Sequence, residues 1–276
     1  MLNENQYSSS KKYEARIYLN RKFKTNPVSK YEWIFERFPK KENLNVLELG
    51  CGTGLFWLAN RNNMVKTWSV ILSDYSEGML ETSRKNLSCL NFNFQYEIIN
   101  AEDIQYPDNK FDIILANNML YHVQNKDKTI KNISRILNDT GVFIASTMGK
   151  DNLLELNNCL YAFLESKKYN GVVRKPQFLN NSNFRFNEYS FSLNNGMEQL
   201  LRYFKNVVME KYENKLIINE ADAVINYYLS FNDMYSNFQV LPEEYIDEFK
   251  IYLENILKTD KTIITTKDEG IFICKK

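Results

Sequence analysis

Three glycines at alternate positions, Gly50, Gly52 and Gly54, follow a short apolar stretch ending in the acidic Glu48, in the run VLELGCGTG from Val46 to Gly54. Such a run reads as a buried strand passing into a tight turn. Glycine supplies the positive φ that the turn needs and lets a ligand reach the backbone without meeting a side chain. The LFWLANRNN that follows reads as a helix whose free N-terminal amides face that ligand. The chemistry implied is a nucleotide-type cradle.

Spacing separates the candidates for that cradle. A dinucleotide G-x-G-x-x-G started at Gly50 would need glycine at Leu55, and started at Gly52 it would need glycine at Trp57, so it fails in both frames. A phosphate-binding P-loop needs a Gly-Lys-Ser/Thr ending, and no lysine follows any of these glycines. A second apolar strand, TWSVILSD, ends at Asp74, twenty residues beyond Gly54, where a nucleotide-binding sheet places the carboxylate that accepts from ribose hydroxyls. Asp74 also suits capping the helix that begins near Ser76.

What remains resembles the E/D-x-G-x-G-x-G loop of class I S-adenosylmethionine (SAM)-dependent methyltransferases, carried here by Glu48, Gly50, Cys51 and Gly52. The resemblance covers about Arg16 to Met148, in the small-molecule branch related to the ubiquinone and menaquinone biosynthesis enzymes. The segments Ala15-Arg16-Ile17, Thr25-Asn26-Pro27, Trp33-Ile34-Phe35, Leu72-Ser73-Asp74, Gly78-Met79-Leu80 and Asn118 to Val123 look like a bacterial subgroup whose acceptors are unassigned. The resemblance implies that Gly50 to Gly52 hold the methionine portion of SAM, Asp74 the ribose, and Tyr75 and Met79 the adenine faces. Ala101, Glu102 and Asp103 then lie along the adenine edge, and Asn117 accepts from the methionine ammonium. Arg16 suits the methionine carboxylate, because a guanidinium fork matches a planar anion, and suits a surface ion pair equally.

His122 is the only histidine. It lies five residues beyond Asn117, where the acceptor would enter; an imidazole near neutrality suits proton removal from that acceptor, and loop packing is the competing role. Tyr161, Phe163, Tyr227, Tyr228, Phe231 and Tyr235 could line an aromatic acceptor pocket, but their helical spacing suits ordinary core packing as well.

The positioning elements follow from hydrophobic period. Residues 10 to 38 form two amphipathic helices broken at Asn26-Pro27. From Leu44 to Met148 strands and helices alternate five times, which implies parallel strands joined by right-handed crossovers. Helices fall at Leu55 to Asn62, Ser76 to Leu90 and Lys128 to Leu137, with a turn at Asn138 to Gly141 before the fifth strand. Later helices fall at Asp151 to Lys168, Leu193 to Phe204, Glu220 to Phe231 and Glu243 to Leu257, with a polar, irregular stretch from Tyr169 to Phe191. Asn206 to Ile218 is strand-rich, and TIITTKDEGIFICKK is a β-hairpin or a closing strand.

The fold expected is α/β: a Rossmann-like, seven-stranded, mostly parallel sheet with helices on both faces, the last strand antiparallel, plus helical lid insertions. We expect one methyltransferase domain over 1–276, with N-terminal cap helices at 1–40, a SAM-binding core at 41–149, a first lid insertion at 150–205, and last strands at 206–276 carrying a second helical insertion at 220–258.

Composition narrows the function. A hydrophobic share of 44% and a charged share of 25% describe an ordinary globular chain, and a formal net charge of +1 supplies no field to recruit nucleic acid or membrane. Residues 1–42 carry ten Lys or Arg against five Glu, whereas 220–258 carries eight Asp or Glu against two Lys; the basic segment could greet an anionic acceptor, though solvated helix faces explain the pattern better. The four cysteines include no C-x-x-C pair, so neither a zinc site nor a disulfide framework is expected. MLNENQYSSSKK lacks an apolar core and no membrane span is legible, so a cytoplasmic monomer or homodimer is expected. A base-amine methyltransferase would show N/D-P-P-Y/F where Asn117-Asn118-Met119-Leu120 stands, and cytosine C5 chemistry would need a Pro-Cys pair that the chain lacks. A protein that binds SAM without transferring its methyl group satisfies the same motifs.

Overall fold

The computed structural model describes residues 10–168, 191–232 and 240–276, with side chains from residue 14 onward. In chain order the elements are α1 (Ser10–Lys22), α2 (Lys30–Phe35), β1 (Asn45–Leu49), α3 (Leu55–Ala59), β2 (Ser69–Asp74), α4 (Glu77–Leu87), β3 (Phe94–Ile98), β4 (Phe111–Asn117), α5 (Lys126–Ile136) and β5 (Leu137–Met148). They continue with α6 (Leu154–Ser166), α7 (Gly196–Leu201), β6 (Asn206–Lys211), β7 (Asn214–Ile218), α8 (Ala221–Leu229), α9 (Ile246–Asp260), β8 (Ile263–Lys267) and β9 (Glu269–Lys275). The chain divides into two compact units.

The first unit comprises Val28–Lys150, Phe178–Tyr212 and Glu269–Lys276. Its seven-stranded sheet runs in the order β3-β2-β1-β4-β5-β9-β6. The first five strands are mutually parallel, and β9, last in the chain, runs antiparallel to β5 and β6. Strands covered on both faces need apolar residues at every position. Accordingly Val46, Val70, Leu72, Ile113 and Leu115 join one buried cluster, while their neighbours Leu47, Leu49, Ile71, Ile114 and Ala116 join the other. The helices match this. On α5, Thr129, Ile130, Ile133 and Ile136 form one buried stripe. Helix α2 starts on a reciprocal cap: Ser29 Oγ accepts from the Glu32 amide and Glu32 Oε2 accepts from the Ser29 amide, both at 3.1 Å.

Three local expectations change. Asn138 to Gly141 lies within β5, whose pairing to β4 shifts register between Phe111 and Ile113, and Asn138 Nδ2 donates to Asp112 Oδ1 at 2.6 Å. Helix α3 stops at Ala59, and α7 spans only Gly196–Leu201. Of the two readings of TIITTKDEGIFICKK, the closing strand holds for β9, which enters the large sheet, and the hairpin does not, because β8 pairs with β7 in a separate two-stranded sheet. The polar stretch expected from Tyr169 falls outside the described residues as far as residue 190.

The second unit comprises Met1–Pro27, Asp151–Gln177 and Glu213–Asp268. Helices α6 and α9 pack on β8, α8 packs on α9, and α1 packs on α8. Glu155 of α6 accepts from the Thr266 amide and hydroxyl, both at 2.7 Å, and from the Thr265 hydroxyl at 3.1 Å, which ties helix to strand. Phe163 packs on Phe249 with ring centroids 5.0 Å apart.

Candidate functional site

The three alternate glycines all have positive φ: +71° at Gly50, +54° at Gly52 and +76° at Gly54. Their surroundings differ, however, and assign them different tasks. A Cβ at Gly50 would stand 2.8 Å from Met119 Cβ, and one at Gly54 would stand 2.6 Å from Ser83 Oγ and 2.9 Å from Leu87 Cδ1. These two glycines let the bend pack against the chain beneath it. A Cβ at Gly52 meets no atom within 4 Å, so Gly52 is the position where backbone is open to a ligand.

Asp74 holds that open position in place. Its Oδ2 accepts from the Gly52 amide and its Oδ1 from the Ser76 amide, each at 2.9 Å, so one carboxylate at the end of β2 fixes both the bend and the start of α4. Burial raises the Asp74 carboxyl above its ordinary range, and the amides of Ser76, Gly52 and Tyr75 oppose that rise. The Cys51 amide adds a second tie to β2 by donating to the Ser73 carbonyl at 2.8 Å, and Ser73 Oγ donates to the Glu48 carbonyl at 2.7 Å. The Cys51 thiol is buried and pushed far up, first by desolvation and then by Glu48 and Asp74, so it is no nucleophile.

Glu48 is only 1% exposed, and its Oε2 accepts from the Trp57 indole at 2.6 Å. Burial pushes its carboxyl up to about 8, with the Trp57 hydrogen bond opposing and Asp74 adding to the rise. Sequence spacing gave no sign of Trp57, nine residues on, as its partner.

At the carboxyl end of β4, Asn117 Oδ1 accepts from Ser146 Oγ, and the Asn118 amide donates to Ser146 Oγ at 3.0 Å and to the Ser146 carbonyl at 3.1 Å. Asn118 itself has φ +52°, and its buried Oδ1 has no hydrogen-bond partner among the described residues. A buried acceptor of this kind calls for a donor. Ser146 has no signal in the sequence, and Asn118 stands there only as the start of the Asn118 to Val123 segment, a second asparagine at a strand end, where that residue tolerates the left-handed region.

Tyr75 is 66% exposed and Met79 is buried in the first turn of α4, and Ala101 is buried as well. Glu102 Oε1 accepts from the Gln124 amide at 2.8 Å, and Asp103 Oδ1 from Gln105 Nε2 at 2.7 Å. His122 ends a short 3-10 turn, Leu120–His122, with its amide on the Met119 carbonyl at 2.9 Å and its ring 4.5 Å from that of Tyr121. Arg16 belongs to the second unit, where its guanidinium lies 5.2 Å from the Phe231 ring centroid. In the same unit Tyr228 is buried and donates to Asn157 Oδ1 at 3.2 Å, and Phe163 is interior, so both serve packing there. Tyr235 lies outside the described residues.

The strand ends of the parallel sheet thus carry a glycine with open space at its Cβ position, the buried Glu48, the half-buried Asp74 and the unmatched side-chain oxygen of Asn118. A model of the methyltransferase domain matches residues 40–189, more than half of the chain. The chain belongs to that family, the class I SAM-dependent methyltransferases. It is 36% identical over 107 residues to the ubiquinone/menaquinone biosynthesis C-methyltransferase of Hydrogenovibrio crunogenus, covering 38% of this chain and 42% of the relative. It is 33% identical over 121 residues to malonyl-[acyl-carrier protein] O-methyltransferase 2 of Ilyobacter polytropus, covering 44% and 45%. The chain thus spans about half the length of the curated relatives it matches. Its fold resembles that of the YcgJ protein from Bacillus subtilis, with TM-score 0.54 at 16% identity over 89% of this chain and 97% of the other.

Two outcomes follow from this geometry. Gly54→Ala forces a methyl group into Ser83 and Leu87 and should cost about 2 to 4 kcal/mol by urea denaturation, whereas Gly52→Ala should cost only the left-handed backbone, about 1 to 2 kcal/mol. Equal losses would contradict the division of roles. For Glu48, the folded carboxyl titrates near 8 and the unfolded one near 4.5. Between those values the folded state holds the extra proton, so stability falls as pH rises, by at most about 1.4 kcal/mol per pH unit, and is flat on either side. Glu48→Gln, which still accepts from Trp57, should abolish that slope; parallel curves for the two proteins from pH 5 to 8 would refute it.

Proposed function

We propose that this chain transfers a methyl group from SAM to a small-molecule acceptor. The observation that carries the proposal is Gly52, where a Cβ would meet no atom within 4 Å and whose amide is latched to Asp74. SAM, when bound, supplies a methyl carbon activated by a positively charged sulfur. Displacement at that carbon forms the acceptor–carbon bond as the carbon–sulfur bond breaks, with the electron pair going to sulfur. No enzyme nucleophile is needed, which agrees with a Cys51 thiol kept protonated. The chain's task is alignment and exclusion of water.

In this reading Gly50 to Gly52 hold the methionine portion, Asp74 the ribose, Tyr75 and Met79 the adenine faces, and Ala101, Glu102 and Asp103 the adenine edge. Asn118, with its unmatched buried oxygen, joins Asn117 as an acceptor for the ligand's ammonium group. His122 acts as the base for acceptors that must lose a proton. Relatives named for transfer to carbon and to oxygen share this core, so the acceptor atom is set outside it. Among the described residues no helix is long and apolar enough to cross a membrane, and we place the reaction in the cytoplasm.

Calorimetric titration tests the reading: SAM and S-adenosylhomocysteine should bind, and NAD and ATP should not compete. Asp74→Asn should weaken SAM by about 1 to 3 kcal/mol, the scale of a lost hydrogen bond to a charged group; full affinity in that variant would remove Asp74 from the site. His122→Ala should lower turnover by about a hundredfold or more with SAM affinity intact. Unchanged turnover together with a lower melting temperature would instead make His122 a packing partner of Tyr121.

A further inference from the structure

Ser146 is fully buried in β5, paired with Asn117 of β4 on one side and with Ile271 of β9 on the other. A serine hydroxyl has one proton to give and two lone pairs with which to receive. Here the proton goes to Asn117 Oδ1 and a lone pair takes the Asn118 amide at 3.0 Å, while that amide also reaches the Ser146 carbonyl at 3.1 Å. One side chain therefore governs two consecutive asparagines at the carboxyl end of β4, the end at which a parallel sheet receives its ligands.

Asn118 is held from both directions. Its amide is tied to β5, its φ of +52° turns the chain out of the strand, and the next residue packs so closely on the glycine bend that a Cβ at Gly50 would stand 2.8 Å from Met119 Cβ. In that conformation Asn118 Oδ1 is buried with no hydrogen-bond partner among the described residues, whereas Asn117 Oδ1 already receives the serine proton. A buried oxygen fixed in place without a partner is costly unless an N–H or O–H arrives from outside the protein. The amino-acid end of SAM carries such a group, its ammonium.

Resting on the methyltransferase reading, we propose that Ser146 is a positioning residue for the ammonium group of SAM: without touching the ligand, it fixes the Asn118 backbone so that the Asn118 side-chain oxygen meets that group. The two asparagines then differ in what they can offer. Asn117 Oδ1 has one lone pair committed to Ser146, and Asn118 Oδ1 keeps both for the ligand. S-adenosylhomocysteine carries the same ammonium group, so both ligands depend on Ser146 alike.

Calorimetry on the full chain tests this with SAM, S-adenosylhomocysteine and the des-amino analogue of the latter, which is identical except that hydrogen replaces the ammonium group. The wild-type protein should bind S-adenosylhomocysteine at least about tenfold more tightly than the analogue, the scale of a hydrogen bond to a charged group. Ser146→Ala should weaken SAM and S-adenosylhomocysteine severalfold and leave the analogue unchanged. Asn118→Gly should do the same, glycine being chosen because it accepts the left-handed backbone. The double variant should lose no more than Asn118→Gly alone, because Ser146 acts through Asn118. If Ser146→Ala fails to fold, Ser146→Cys replaces it, filling similar space with a weak donor and acceptor. An unchanged ratio of S-adenosylhomocysteine to analogue affinity in the serine variant, whether neither ligand weakens or both weaken together as a purely structural role would require, overturns the inference. So do equal affinities for the two in the wild-type protein, or additive losses in the double variant, and each of these leaves the methyltransferase reading intact. Failure of SAM and S-adenosylhomocysteine to bind the wild-type protein removes that reading and the inference with it.

Discussion

The hydrogen bond from the Gly52 amide to the Asp74 carboxylate joins residues 22 apart in sequence and fixes the glycine bend to its neighbouring strand. It closes the bend at the end of β1 onto the end of β2. Because the same carboxylate accepts from the Ser76 amide, the start of α4 is placed by the same group. A charge-assisted bond between a carboxylate and backbone N–H groups is among the stronger polar contacts available, and here it is half-buried. Ser76, not Asp74, caps α4 by accepting from the Met79 amide, and Asp74 supports that start through the Ser76 amide while positioning the bend.

Packing accounts for the other glycines. Gly50 against Met119 brings the β1 bend close to the segment after β4, and Gly54 against Ser83 and Leu87 brings the start of α3 onto α4. Three parts of the chain distant in sequence therefore converge because two positions carry no side chain. Gly52 alone of the three leaves open space at its Cβ position.

What could be read from the residues was what depends on short-range pattern. The apolar period marked β1, β2, β4 and α5, and the glycine spacing excluded the dinucleotide and phosphate loops. What escaped depends on register or on long-range pairing. Ser146 reaches Asn117 and Asn118 only because β5 pairs beside β4 in one particular alignment. Trp57 reaches Glu48 only once α3 folds back over β1. Strands β8 and β9, separated by the single residue Asp268, have the local look of a hairpin, yet their partners lie on β7 and on β5 and β6, far away in the chain. Nothing within the stretch itself encodes that choice.

Glu48 shows what burial does to a carboxyl at the root of the bend. Removing a charge from water costs far more than one hydrogen bond returns, and with Asp74 adding repulsion the group is pushed up to about 8, so near neutrality it keeps its proton. In that form it still accepts from the Trp57 indole, and the contact ties α3 to β1 without burying a charge. Asp74 is placed differently: half-buried at the end of β2, it has the amides of Gly52 and Ser76 to offset part of its desolvation, and that is why it can hold the bend.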